Sequence, residues 1–267
     1  MPAYLETIVA AHRAQSARDG RDVPRVVDQT VAKAAAGRST RPFLDAITSS
    51  SERFGMAVIS EIKRRSPSKG DLDTSLVPAE VAVDYEAGGA ACLSVLTDGD
   101  FFGGSSADLQ AAREACGLPV LRKDFTVSPL DICDAWAMGA DAVLLIVAAL
   151  NDAELSSFLD LAASLALAAL VEVHDADELE RALGAGAHLV GVNQRDLRTF
   201  EVDHERALTL GAQLPSDVVG VAESGIRTAE DVKELAAAGY RAVLVGETLV
   251  RSGDRRRAVS ELLGVEQ

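Results

Sequence analysis

Short apolar runs and longer amphipathic stretches alternate along the chain from residue 57 onward. The runs cover 57–63, 91–97, 119–125, 142–148, 169–174, 188–194, 218–223 and 242–246, and their shortness and apolar content mark them as buried strands. Between them lie alanine-rich helical patterns near 77–88, 105–116, 128–138, 151–167, 175–185, 203–213 and 228–238, with a closing helix near 254–263. Helix-start signals recur at Ser128 with Asp131, Asn151 with Glu154, Asp175 with Glu178, Asp203, and Thr228 with Asp231. Their first residues are 23, 24, 28 and 25 positions apart, the length of one strand, one helix and two short loops. Gly89, Gly139, Gly186 and Gly239, which end helices, fall 50, 47 and 53 apart, so each interval holds two strand–helix units.

Strict alternation of this kind demands parallel strands joined by right-handed crossovers, and eight of them close most economically into a (β/α)8 TIM barrel of the α/β class. The alternative is an open, doubly wound sheet, but the glycine-rich dinucleotide turn expected after its first strand is absent. A length of 267 residues suits one barrel domain spanning 1–267. Residues 1–55 precede the first strand as an N-terminal helical extension, with segments near 4–18, 24–36 and Phe43 to Phe54. This extension is expected to cover the bottom of the barrel, stabilise it, or lie across the top.

Five runs turn polar at their C-terminal ends: AVISEIKRRSPSKG, VLRKDF, ALVEVHD, LVGVNQRDL and VGVAESG. A charged residue at the end of a strand built for burial is costly unless it faces a shared polar site, so these ends should converge. The pairs Glu61/Lys63, Lys123/Phe125, Glu172/His174 and Asn193/Arg195 are spaced by two, which puts both members on one strand face.

A formal charge of −15, from 26 basic and 41 acidic residues, argues against nucleic acid as a partner. Yet Lys63, Arg64, Arg65, Lys69, Arg122 and Lys123 cluster on two strand ends, a basic focus suited to a small anionic substrate. At least two of Arg64, Arg65 and Arg122 are expected to be solvated loop charges. Cys92, Cys116 and Cys133 lack metal or redox spacing and read as buried small residues in a reducing compartment. The start MPAYLETIV has no basic, apolar leader pattern, and polar residues break the Leu155–Leu170 stretch, so we expect a cytoplasmic protein with no membrane span. No cofactor and no metal are expected, and the chain is expected to be a monomer or weak homodimer.

The segment Ser66-Pro67-Ser68-Lys69-Gly70 can wrap an anion from several sides. Gly225, after Glu223-Ser224, and Gly246, before Glu247, end the seventh and eighth strands, where barrels of this kind often grip phosphate with backbone N–H groups. Lys123 faces the barrel mouth near Lys63, and desolvation and that neighbouring cation should both lower its pKa and fit it for proton transfer. Glu172 reads as its opposite-charge partner or as a base, with Glu61 as a second carboxylate nearby. His174 reads as structural. Asn193 and Arg195 are placed to orient a hydroxyl and to grip a carboxylate.

Six motifs together resemble those of indole-3-glycerol phosphate synthases. They are E-I-K-x-x-S-P-S-K-G at 61–70, L-T-D-x-x-F-F-G-G-S at 96–105, L-R-K-D-F at 121–125, V-E-V-H at 171–174, G-V-N-x-R-D-L at 191–197 and A-E-S-G-I at 222–226. The resemblance spans nearly the whole chain. It implies a (β/α)8 barrel converting 1-(2-carboxyphenylamino)-1-deoxyribulose 5-phosphate into indole-3-glycerol phosphate, carbon dioxide and water in tryptophan biosynthesis. By the same resemblance, Lys123 is the general acid of ring closure and Glu172 the carboxylate that supports it. Lys63 contacts the substrate carboxylate, and Glu61 is its partner. Asn193, Arg195, Glu223 and Ser224 position substrate, Phe125 forms an aromatic wall, and Ser66, Gly225, Gly246 and the Glu247 backbone hold phosphate. With 267 residues, no fused isomerase barrel is expected. Two other readings stay open on the residues: another phosphate-binding barrel such as a Schiff-base aldolase, and a noncatalytic binding barrel.

Overall fold

The computed structural model describes residues 4–37, 40–66, 69–196 and 201–265. Pro67 and Ser68 of the 66–70 segment, and Leu197 of the 191–197 motif, lie outside them. Eight parallel strands close into a barrel: β1 (Ala57–Ile62), β2 (Cys92–Leu96), β3 (Val120–Lys123), β4 (Ala142–Ile146), β5 (Ala168–Val173), β6 (Leu189–Asn193), β7 (Val219–Glu223) and β8 (Ala242–Val245). Each strand pairs with its sequence neighbours, and β1 closes the ring on β8 with Ala57 opposite Ala242. The strands sit within two residues of the apolar runs.

Helices α1 (Tyr4–Ser16), α2 (Val23–Ala35) and α3 (Phe43–Phe54) precede the barrel. Those that follow its strands are α4 (Pro78–Ala87), α5 (Ser106–Ala115), α6 (Pro129–Met138), α7 (Asp152–Ser164), α8 (Ala176–Gly184), α9 (His204–Gly211) and α10 (Ala229–Ala237). A short α11 (Glu247–Val250) and the closing α12 (Arg255–Leu262) complete the set. The start signals read from the sequence act as caps. The side chains of Asn151, Asp175, Asp203 and Thr228 each accept a backbone N–H of the first helical turn, and Ser128 forms a capping box with Asp131. A two-residue hairpin, Arg65–Ser66 against Gly70–Asp71, is an element the apolar pattern does not announce.

Alternate strand residues divide the core in two. Val58, Leu93, Val120, Val143, Val171, Val190, Ala222 and Val243 face outward into the layer between barrel and helices. Ile59, Cys92, Leu121, Leu144, Leu170, Leu189, Val221 and Leu244 fill the barrel interior. Phe43 and Ile47 of α3 belong to that inner cluster and are almost wholly buried, so α3 plugs the bottom of the barrel. α2 lies along the flank against α6. α1 crosses the top, where Tyr4, Leu5 and Ile8 reach the cavity described below. The extension therefore takes both the bottom and the top placement that the sequence left open, and α2 adds a flank packing that the sequence does not announce.

Candidate active site

One step above the apolar interior, the inward position of alternate strands becomes ionisable: Glu61 on β1, Lys123 on β3, Glu172 on β5 and Glu223 on β7. Alternate strands supply one layer of side chains in this fold, so the four meet. Lys123 Nζ donates to Glu172 Oε2 at 2.7 Å and to Glu223 Oε2 at 3.2 Å. Lys63, just past β1, donates to Glu61 Oε1. Asn193 Nδ2 donates to Glu172 Oε1 at 3.2 Å, while its Oδ1 accepts from Ser224 Oγ at 2.9 Å and from the Arg195 N–H at 3.0 Å. The polar ends of β5, β6 and β7 are thus one hydrogen-bonded network.

Electrostatics set the proton inventory of this layer. Burial alone works against the Lys123 ammonium, but the carboxylates of Glu172, Glu223 and Glu61 outweigh it and raise the lysine pKa. The expectation that Lys123 is depressed is therefore wrong: its hydrogen-bonded neighbours are two carboxylates contributed by other strands. Burial opposes the charge on Glu172 as well, yet Lys123, His174 and Asn193 prevail and bring its pKa down to about 2. Glu223 goes the other way. Burial, reinforced by Glu172 and Glu61, overcomes Lys123 and pushes its pKa up to about 8. The two buried carboxyl groups share one ammonium, and their pKa values move in opposite directions.

Above this layer opens a cavity of about 630 Å³. Glu61, Lys63, Ser66, Lys123, Phe125, Glu172, Asn193, Arg195, Glu223, Ser224, Gly225, Gly246 and Glu247 all line it, so the residues assigned to catalysis and substrate binding by the resemblance converge there. Two glycines make room beneath it. A Cβ on Gly191 would lie 2.1 Å from Glu223 Oε1, and one on Gly246 would lie 2.3 Å from Glu61 Oε1. Ser224 and Gly225 both have left-handed backbones, φ 69° and 75°, and a Cβ on Gly225 would meet Val202 at 2.5 Å. Ser224 is a non-glycine residue in that region, the kind of local strain that clusters at functional sites.

The basic cluster resolves differently from its expected solvation. Arg64 pairs with Asp108, Arg122 pairs with Asp124 at 2.9 Å, and Arg65 donates to the Asp100 carbonyl at 2.7 Å. These arginines fasten loops: Arg64 and Arg65 reach acceptors after β2, and Arg122 also donates to Thr97 Oγ1 at 3.1 Å and to the Asp131 carbonyl at 2.7 Å. Lys63, Lys69 and Lys123 line the cavity instead, joined by Arg227 and Arg251, which the sequence reading did not single out.

Nothing in the apolar pattern announces how α1 is held over the mouth. Arg13 makes a paired contact with Glu154, at 2.9 Å to each oxygen, and His12 Nε2 lies 2.9 Å from Asp98 Oδ2. The His12 ring also stacks at 5.3 Å from Phe125, whose other neighbour at 6.2 Å is Phe102. His12, Asp98 and Asp124 bring potential metal donors within 4.8 Å of one another. Their oxygens are already engaged: Asp98 accepts the N–H groups of Phe101 and Phe102, and Asp124 accepts from Thr97, Arg122 and the Phe125 N–H. The cluster works as a latch for α1.

Solved structures with this architecture include a 3-hexulose-6-phosphate synthase, at TM-score 0.63 and 15% identity over 78% of this chain and 99% of that one. A thiamine phosphate pyrophosphorylase from Pyrococcus furiosus aligns at TM-score 0.58 and 16% identity, covering 78% of this chain and 94% of its own. At such identities they speak for the barrel alone. Sequence comparison is more specific. Indole-3-glycerol phosphate synthase from Mycobacteroides abscessus is 51% identical over 238 residues, 89% of this chain and 87% of that protein. The family model for indole-3-glycerol phosphate synthase matches residues 5–262, from the helix over the mouth to the last helix of the barrel, and the chain belongs to that family.

Proposed function

We propose that Lys123 is the general acid of an indole-forming ring closure, with Glu172, Glu223, Lys63 and Glu61 sharing the remaining proton and charge handling. The chain is an indole-3-glycerol phosphate synthase, a carboxy-lyase of tryptophan biosynthesis. Its substrate is a phosphorylated small molecule. In the reading implied by the motifs, that substrate is 1-(2-carboxyphenylamino)-1-deoxyribulose 5-phosphate.

The carrying observation is the Lys123 ammonium, hydrogen-bonded to Glu172 and Glu223 at the cavity floor. In ring closure an aromatic carbon attacks a ketone, and negative charge develops on the carbonyl oxygen. A positioned ammonium neutralises that charge as it forms. Carbon dioxide then leaves, restoring aromaticity, and loss of a hydroxyl as water completes the indole. Converting a carboxylate to neutral carbon dioxide consumes one proton per turnover. Glu223, with its pKa of about 8, can hold that proton at neutral pH beside the lysine that must be recharged.

Lys63 is assigned to the substrate carboxylate, with Glu61 holding its ammonium in place. Asn193, Ser224 and Arg195 are assigned to positioning, and Phe125 to one wall of the aromatic pocket. Ser66 and the backbone around Gly225, Gly246 and Glu247 are assigned to the phosphate, following the habit of loops after the last two strands of such barrels. A distant phosphate anchor holds the flexible chain so that the reacting carbon and ketone meet. A Schiff-base role for Lys123 is disfavoured, because that chemistry needs a free amine and the carboxylates favour the ammonium.

Residues 1–55 are assigned to the same domain as the barrel, since α1 and α3 close its two ends. Three free, buried cysteines support a cytoplasmic setting. The exposed large apolar residues among those described are few, Val77 and Val83 at the cap and within α4 and Val23, Val202 and Val265 on other elements, which supports a monomer or weak homodimer. Turnover is tested by the fluorescence of indole formation. Product is expected from the wild type, with no adduct trapped by borohydride. Absence of turnover, or a trapped lysine adduct, overturns the reading.

A further inference from the structure

His174 follows β5 directly, and its imidazole stands between two carboxylates. Nδ1 lies 3.1 Å from Glu178 Oε2, and the same oxygen accepts the His174 backbone N–H at 2.7 Å. The opposite nitrogen, Nε2, is buried without a hydrogen-bond partner and faces Glu172 Oε1 at 3.7 Å. A neutral imidazole has one N–H and one lone pair, so it turns a lone pair toward one of these carboxylates. Only the imidazolium offers a donor to both. The 3.7 Å separation is an ionic contact, and contacts of this kind commonly tighten once substrate is bound.

We infer that His174 is a positioning residue for the reaction: clamped by Glu178, its protonated ring holds Glu172 from behind and keeps Oε2 on Lys123 while substrate competes for that ammonium. The inference rests on the role assigned above to Glu172. Glu172 divides its contacts accordingly, with Oε2 on Lys123 and Oε1 between Asn193 and His174. The charged groups bearing on the ring are Glu172 from β5, Glu178 from α8 and Glu223 from β7, with Lys123 of β3 beyond Glu172. Burial favours the neutral ring, but those carboxylates outweigh it and raise the histidine pKa. The clamp is therefore engaged below that raised pKa and released as the pH rises through it. Release lowers kcat. It leaves KM little changed, because the substrate's carboxylate and phosphate are assigned to other residues.

A purely structural role is the competing account, in which His174 and Glu178 only fasten the first turn of α8, capped by Asp175. The test is kcat and KM across about pH 5 to 9, with thermal melts, for wild type, H174A, H174Q and E178Q. We expect kcat to fall about tenfold in H174A, as for a lost carboxylate-orienting contact, and to recover within about threefold in H174Q, which retains an N–H donor. The step belonging to His174 should vanish in H174Q and move to lower pH in E178Q, where the anion that retains its proton is gone. That shift separates the step from Glu223, because Glu178 hydrogen-bonds the imidazole whereas Glu223 hydrogen-bonds Lys123.

A wild-type pH profile in both H174Q and E178Q overturns the inference, as does a lower melting temperature with unchanged kcat. Should H174A fail to fold, H174Q and E178Q decide alone. Absence of turnover in the wild type sinks the functional reading itself, whereas turnover with an unaltered profile in the variants sinks only this proposal.

Discussion

The two ends of the barrel use the same strand faces for opposite purposes. On β1 the inward positions run Ala57, Ile59, Glu61; on β3 Leu121 then Lys123; on β5 Leu170 then Glu172; on β7 Val221 then Glu223. A shift of two residues along one face carries the chain from hydrocarbon to charge. At the bottom, Phe43 and Ile47 bury side chains that each stabilise the fold by roughly 1.5–3 kcal/mol. At the top, burial of Glu61, Glu172, Glu223 and Lys123 opposes folding unless each finds a partner. The lower end thus holds the molecule together, and the upper end holds charge in place for a reaction.

The sharpest challenge to that division is Lys123→Ala. It should lower turnover by about 10²–10⁴, the range of a lost general acid, and near-wild-type rates would end the assignment. Glu172→Gln should give a smaller but still severe loss in the same assay. At the other end, Phe43→Ala should cost about 3–5 kcal/mol of stability in denaturant melts, while the fraction that remains folded keeps its kcat. A catalytic defect as large as the stability defect would show that the ends are not separable.

Gly191→Ala probes the boundary between them. Its new methyl would occupy the place of Glu223 Oε1, so about 1–3 kcal/mol of destabilisation and a loss of activity should appear together. The mildest test concerns pH. Glu223 keeps a proton in the folded chain up to about pH 8, whereas an ordinary carboxyl releases it near 4.5. Folding stability from this group is therefore complete below about 4.5 and is lost as the pH rises through about 8. Melting temperatures of Glu223→Gln should show a flatter decline over that window, and parallel curves would refute the raised pKa.

Much of this was legible in the sequence because strand periodicity is local. Glu61, Lys123, Glu172, Asn193 and Glu223 end apolar runs, and buried charges at strand ends have few places to go in a closed barrel. What was not legible depends on partners distant along the chain. The Lys123 pKa was misjudged because Glu172 and Glu223 are 49 and 100 residues away, and nothing in VLRKDF announces them. Gly246 reads as a phosphate-loop glycine, yet its missing side chain also makes room for the carboxylate of Glu61. A tight turn and a close approach leave the same letter. α1 carries too weak an apolar stripe for its placement to be read, and His12, Arg13 and Tyr4 fix it through contacts with Asp98, Glu154 and Phe101.

Because Tyr4 lines the cavity, a partner grafted at the amino end would be joined close to the substrate's path. Val265 instead borders a shallow hollow with Ser49, Arg53 and Gly88, at the α3 end of the molecule. A purification tag or fusion partner is best joined at the carboxyl side, where its bulk stays clear of traffic in and out of the enzyme.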